Sequence, residues 1–314
     1  MGSNTGSLKN GNFLYIPTGS KYKQVLDSLQ KNGFISNRWS FDLLAKATGY
    51  PSRVLPGKYK LTQGMSNYQM IRMLRSGRQS PVQLIVPKLR TLPDFIRFAS
   101  KNLEADSAQL MASLSNTSLL SQYGLDSTTV MAAILPDTYE LWWTTSADKV
   151  FIKIADNYTK FWNESRKKKA SNIGLSPVQT VILASIVEEE TNDNKEKDTI
   201  ASVYLNRLHK GMKLQADPTA RFAFGDFSIK RITSIHTNIP SPYNTYYTTG
   251  LPPGPICTPS SITIDAVLKG TQTDYLYFCA KDDFSGSHSF AKDYATHMMN
   301  AKKFQQAMNS KNIH

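Results

Sequence analysis

Three consecutive carboxylates, Glu188, Glu189 and Glu190, followed by Thr191, stand directly after an apolar run that includes Val181, Ile182, Leu183, Ile186 and Val187. A carboxylic acid donates a proton near neutral pH only if its pKa is raised, by apolar surroundings, by neighbouring negative charge or by a helix C-terminus. This cluster combines all three. Glu188 and Glu190 are two positions apart, so on a helix they point roughly 200° from one another and cannot both face one cleft. Either one is a candidate acid; the other reading of the triplet is the polar, fraying end of a helix.

Downstream, Gln215 and Asp217 flank a turn into Pro218, where Asp217 reads as a helix cap, as a substrate contact, or as both. Residues 241–247, which include Tyr243, Asn244, Thr245, Tyr246 and Tyr247, bring amides and hydroxyls beside flat rings, a mixture suited to a sugar's hydroxyls and C–H faces. A Pro- and Gly-rich stretch over 250–255 restricts the backbone after it. Metal chemistry has no support: His209, His236, His288, His297 and His314 show no ligand spacing, and no metal or cofactor is assigned. Cys257 and Cys279 lack a CxxC spacing and read as free thiols. Phosphate-cradling, zinc-protease and α/β-hydrolase signatures are also absent from the sequence.

These residues need positioning elements. Ser176 followed by Pro177 starts a helix that runs to Glu190 and is apolar on all sides, hence buried. A second helix over 195–209 presents Ile200, Val203, Tyr204 and Leu208 on one face and stops at Gly211. Residues 166–169, Arg followed by three Lys, read as a solvated interhelical loop. Residues 275–279 read as a buried strand with a partner around Phe290, closed by a helix over 292–308. Towards the N-terminus, residues 12–87 alternate short strands and helices in a βααβ-type module with an exit strand at 82–86. A Ser/Thr-rich stretch at 113–118 marks an edge.

The chain has 314 residues with 40% hydrophobic content, enough for two globular domains and far from collagenous or low-complexity classes. No uninterrupted apolar run approaches the roughly 18 to 20 residues of a membrane span, so the sequence as given reads as soluble. The small polar opening over 1–11 reads as an expression scar or linker. A net charge of +13 favours anionic partners, but no nucleic-acid motif accompanies it, and no nucleic-acid partner is assigned.

Taken in order, LASIVEEET at 183–191, ASVYLNRLHKGMKLQADPT at 201–219, SPYNTYYTTGLPPGPI at 241–256 and YLYF at 275–278 resemble the MltG (YceG-like) endolytic murein transglycosylase family. The segment at 135–139 resembles that family too, and the first module resembles its LysM-like domain. The resemblance implies an α+β fold: a small LysM-like N-terminal module over 12–87, then a larger α+β catalytic domain over 88–314 with a helical insert at about 92–134 and a buried helix bearing the catalytic glutamate. It implies a lytic transglycosylase that cuts the MurNAc–GlcNAc β-1,4 bond within peptidoglycan glycan strands, leaves 1,6-anhydroMurNAc ends and terminates nascent strands.

By the same resemblance Glu190, immediately before Thr191, is the catalytic acid and Glu188 the second choice. Gln215, Asp217, Tyr243, Asn244 and Thr245 are cleft residues. Cell-wall synthases are implied as partners, and an N-terminal transmembrane helix, absent from this sequence, would hold the enzyme at the outer face of the cytoplasmic membrane. Two segments depart from the family pattern: Lys88-Leu89-Arg90 stands where a glycine is usual, and residues 131–134 replace a glycine-aromatic lead-in. The rival readings are a lysozyme-type muramidase, with Asp217 as a second carboxylate working with water, and a noncatalytic wall-binding protein.

Overall fold

The computed structural model describes residues 3–6, 8, 11–229 and 231–310. The chain divides into two compact units: Met1–Ile85, Ile96–Ser113 and Thr138–Phe151 form one, and Val86–Phe95, Leu114–Asp137 and Ile152–His314 the other. The first segment of the smaller unit ends at Ile85. Chain order does not separate the units beyond it, because the exit strand finds its partner more than fifty residues downstream.

In the first unit, strand β1 (Phe13–Ile16) pairs antiparallel with β2 (Gly57–Lys60), Phe13 opposite Lys60 and Ile16 opposite Gly57. Helices α1 (Tyr22–Lys31) and α2 (Arg38–Ala47) lie between them in sequence. This is the βααβ order that the alternation of short apolar runs predicts. Asn37 starts α2 by accepting the Ser40 N–H at 2.9 Å. A capping box of Ser66 and Gln69 starts α3 (Asn67–Ser76), which Gly77 ends in the left-handed conformation. Leu14, Ile16, Val25, Leu29, Phe41, Tyr59, Met70 and Leu74 close the core.

The exit strand β3 (Val82–Ile85) pairs antiparallel with β4 (Thr138–Leu141). Both strands alternate buried and exposed residues, as a sheet with one wet face must. Local patterning marks each strand but not the pairing. Between them run α4 (Leu92–Asn102), α5 (Ser107–Leu114) and α6 (Thr117–Ser121), so of the Ser/Thr-rich edge at 113–118 only Ser115 and Asn116 lie between helices, Asn116 capping α6.

Of the opening expected to be a scar or linker, residues 1, 2, 7, 9 and 10 lie outside the described residues. Residues 3–6 are not a free leader. Asn4 is buried and exchanges hydrogen bonds with the Asn37 backbone at 2.7 and 2.9 Å, and the Gly6 N–H donates to the Phe34 carbonyl at 3.1 Å. A Cβ on Gly6 would lie 2.0 Å from the Gly33 carbonyl oxygen, so only glycine lets the backbones approach this closely.

The larger unit is mainly helical. After α7 (Ala147–Phe161), residues 166–169 are helical rather than a loop, within α8 (Glu164–Asn172). Arg166 pairs with Asp265 at 2.9 Å and covers the Phe161 ring, while the lysines face water. The buried helix α9 (Pro177–Glu190) and α10 (Lys197–His209) follow. Then come α11 (Asp217–Phe224), α12 (Ser234–Thr237) and α13 (Ser261–Leu268). A hairpin of β5 (Tyr277–Ala280) and β6 (His288–Ala291), with Phe278 opposite Phe290, precedes α14 (Tyr294–Ser310). β5 is only half-buried, where a buried strand is expected from its apolar run. Cys257 is buried and Cys279 half-buried, both as free thiols. No single helix among the described residues is long and apolar enough to cross a membrane.

Candidate active site

Helix α9 begins as its sequence dictates. The Ser176 hydroxyl accepts the Gln179 N–H, the Gln179 side chain returns to Ser176, and Pro177 occupies the first helical position. Every residue from Thr180 to Val187 is buried. Each buried Val, Ile or Leu contributes roughly 1.5–3 kcal/mol. The polar atoms within that run are satisfied: Thr180 Oγ1 donates to the Ser176 carbonyl at 2.9 Å, and Ser185 Oγ donates to the Ile182 carbonyl and accepts the Ile256 N–H at 3.0 Å. Packing therefore holds the last turn of α9, with its three carboxylates, in one place.

The three carboxylates have different partners. Glu188 Oε2 accepts from Lys197 Nζ at 3.1 Å, Ser260 Oγ at 3.1 Å and Thr263 Oγ1. Lys197 is itself buried and also donates to Thr263. Glu189 pairs with Lys88 at 2.9 Å and Arg90 at 3.1 Å. Burial pushes the Glu189 carboxyl up, but the two cations outweigh it and hold the group below the usual carboxylate range. The Lys88-Leu89-Arg90 segment thereby clamps the end of α9, and the Leu89 N–H donates to the Thr258 hydroxyl at 2.9 Å while the Leu89 carbonyl accepts the Thr258 N–H at 2.8 Å.

Glu190 has no ion pair among the described residues. Its Oε1 accepts a 2.5 Å hydrogen bond from the Tyr204 phenol on α10. The residue keeps partial access to solvent, while its carboxyl is densely surrounded by protein. Desolvation is the largest influence on it. The Tyr204 hydrogen bond pulls the other way, Asp217 adds negative charge, Arg221 opposes it, and Glu189 adds more negative charge. The net result pushes Glu190 up to about 7. Burial, then the nearby Glu190 charge, hold Tyr204 well above its usual value, so Tyr204 remains the donor. Its ring sits edge-on to Phe278, which fixes the phenol's direction.

Asp217 is the first residue of α11, and the cap position is Ala216, with no side-chain cap. The capping role expected for Asp217 is therefore not realised. Its carboxylate instead accepts from Tyr246 Oη at 2.6 Å. Gln215 carries a left-handed backbone, φ +53°, unusual for a residue with a side chain and held by its N–H to the Thr245 carbonyl at 3.1 Å. Its side chain is exposed, with Oε1 3.4 Å from Arg207. Tyr243 packs its ring 4.8 Å from Phe222.

Asn244 and Thr245, expected to line the cleft, are fully buried. Asn244 Nδ2 is shared among the carbonyls of His236, Thr237 and Ile239, and its Oδ1 accepts the Tyr246 N–H. Thr245 Oγ1 accepts the Ala216 N–H and bonds the Thr219 hydroxyl at 2.8 Å. With every polar atom spent internally, the two shape the loop and do not present a surface. Gly254 completes the scaffold, since a Cβ there would lie 2.0 Å from the Thr128 carbonyl oxygen.

Sequence reasoning misses Tyr204 and Arg221 as site residues, and reads Tyr246 only as part of a loop suited to a sugar. Tyr204 reads as one apolar position of a helix face, and only its hydroxyl distinguishes it from core. Replacing Tyr204 with Phe removes a hydrogen bond that favours the charged carboxylate, so the Glu190 midpoint is expected to move upward by roughly one unit or more. Carboxyl-band infrared titration of the variant checks this; an unmoved midpoint would show that the bond does not tune the acid.

Comparison with known proteins adds an independent finding. The profile of the YceG-like family matches residues 14–303. An endolytic murein transglycosylase of Bacillus subtilis is 30% identical over 311 residues, covering 94% of this chain and 85% of that protein. One from Streptococcus pneumoniae is 27% identical; the match covers 91% of this chain and 57% of the longer streptococcal protein. A crystal structure of a YceG-like protein from Listeria monocytogenes superposes with a TM-score of 0.61 at 26% identity, covering 91% of this chain and 97% of that one.

Proposed function

The chain belongs to the YceG-like family, and on that premise we propose that it is an endolytic murein transglycosylase in which Glu190 is the single acid–base group. The observation that carries this assignment is a carboxyl pushed to about 7 at the end of a buried helix, hydrogen-bonded to a phenol and without an ion pair among the described residues. Protonated Glu190 donates to the glycosidic oxygen between N-acetylmuramate and N-acetylglucosamine. As carboxylate it takes the proton from the muramyl 6-hydroxyl while that oxygen closes on C1, and a 1,6-anhydro end results. The nucleophile is part of the substrate, so its effective concentration is high and no second carboxylate is required.

Gln215, Asp217 and Tyr243 are the expected residues with side chains accessible to a glycan strand. Asp217 is also hydrogen-bonded to Tyr246, and its charge helps to keep Glu190 protonated. Residues 12–87, with their βααβ order, act as the LysM-like module that holds glycan, and residues 88–314, with the insert at about 92–134, act as the catalytic domain. In this reading the enzyme works at the outer side of the cytoplasmic membrane, held by an N-terminal transmembrane helix, with cell-wall synthases as partners.

Mass spectrometry of the fragments released from purified sacculi tests the reaction. Anhydro-muramyl ends are the expected result. Asp217 lies close enough to influence Glu190 electrostatically, which is what a muramidase reading would use; reducing ends would establish that reading. Protein that pellets with the wall and releases nothing would establish a binder.

A further inference from the structure

Residues 1–85 contain twelve Lys and Arg but only two acids, Asp27 and Asp42, so this segment carries +10 of the chain's +13. Both acids are committed: Asp27 pairs with Arg38 at 2.7 Å, and Asp42 with Lys46 at 2.7 Å and the Tyr22 phenol at 2.9 Å. No carboxylate of this segment is left for the other cations.

The surplus has a focus. A cavity of about 310 Å³ is lined by Arg53, Arg72 and Arg75 together with Tyr68, Ile71 and Thr48, and no acidic residue lines it. Arg72 and Arg75 are three positions apart on α3 and so share a face, which Tyr68 extends by one turn. None of the three arginines has a side-chain hydrogen bond or ion pair among the described residues, and all three are exposed. Like charges brought together without a counter-ion repel one another. Guanidinium forks match the oxygen pairs of an oxyanion, and several of them around one concavity suit a tetrahedral phosphate.

From this juxtaposition we propose that Arg53, Arg72 and Arg75 form a binding site for the phosphodiester groups of a soluble polyanionic chain. Cations occur along the whole segment: Lys23 and Lys31 on α1, Lys58 and Lys60 on β2, and Arg78 just after α3. A polymer with repeating charge can follow such a distribution, whereas a bilayer meets one face only. The cavity seats one phosphate, and the remaining lysines hold the chain that runs past it.

The test measures binding of fluorescent poly(glycerol phosphate) to the full chain at low and high salt, beside poly-glutamate and anionic phospholipid vesicles. Binding to the phosphate polymer is expected to weaken tenfold or more when Arg53, Arg72 and Arg75 are all replaced by Ala. A variant matched in charge, with Lys21, Lys23 and Lys31 replaced by Ala, is expected to lose only about two- to threefold. Arg72→Lys with Arg75→Lys keeps the charge, loses the forks and should fall between the two, providing a second reading should the triple Ala variant fold poorly. Equal losses in the two triple variants, equally tight binding of poly-glutamate, or binding to vesicles but not to polymer would each overturn the proposal. Binding is read without bond cleavage, and Glu190→Gln should bind the phosphate polymer as tightly as wild type, so this proposal and the assignment of Glu190 fail separately.

Discussion

Replacement of Glu190 by Gln is expected to lower the rate of strand cleavage by about a thousandfold, within the range that a positioned acid–base group contributes. Gln retains the shape and can accept the Tyr204 hydrogen bond, but it has no proton to give to the departing oxygen. The fold should survive, because the carboxyl is a thermodynamic burden where it sits. Its folded pKa of about 7 lies above the ordinary 4.5, so the contribution of Glu190 to stability is full below pH 4.5 and declines between 4.5 and 7. Above pH 7 it is lost altogether. The Gln variant should therefore match wild type at pH 4 and exceed it at pH 8 by at most about 3 kcal/mol. Wild-type cleavage should fall as pH rises through 7, since only the protonated acid starts the reaction. Muropeptide release and urea unfolding at the two pH values measure both effects. A Gln variant that cleaves at the wild-type rate would remove Glu190 from the mechanism.

Much of this site can be read in the residues because its geometry is local. The cap at Ser176, the proline at Pro177, the run of buried apolar residues and the stop after Glu190 all fall within one helix, and the sequence places both ends of α9 where the structure has them. Helical geometry alone sends Glu188 and Glu190 apart, but it cannot say which of them receives a cation. That depends on Lys197, Ser260 and Thr263, residues brought together by the packing of α9, α10 and α13. The pairing of β3 with β4 is hidden for the same reason. Asn244 and Thr245 show the opposite error: polar side chains in a loop that suits sugars serve the loop itself, because a buried turn must satisfy its own carbonyls and N–H groups first. Lys88 and Arg90, a departure from the family pattern, acquire a purpose only once Glu189 is seen between them.

Removing the Glu188 carboxylate separates a structural acid from a chemical one. Lys197 is 4% exposed, and among the described residues its ammonium pairs with Glu188 and donates to the Thr263 hydroxyl. Glu188→Leu leaves that charge buried and uncompensated, a change that typically costs about 3–5 kcal/mol. The Glu188→Leu/Lys197→Met double variant should recover most of the loss, because the pair's own desolvation cost disappears with it. Urea unfolding of wild type, both single variants and the double variant measures the coupling. Cleavage per folded molecule should stay within a few-fold of wild type in the double variant, since Glu190 keeps Tyr204 and its place on α9. If the double variant were stable yet inactive, with Glu190→Gln still active, the proton would have to come from Glu188, and the ion pair with Lys197 would be part of the chemistry rather than of the fold.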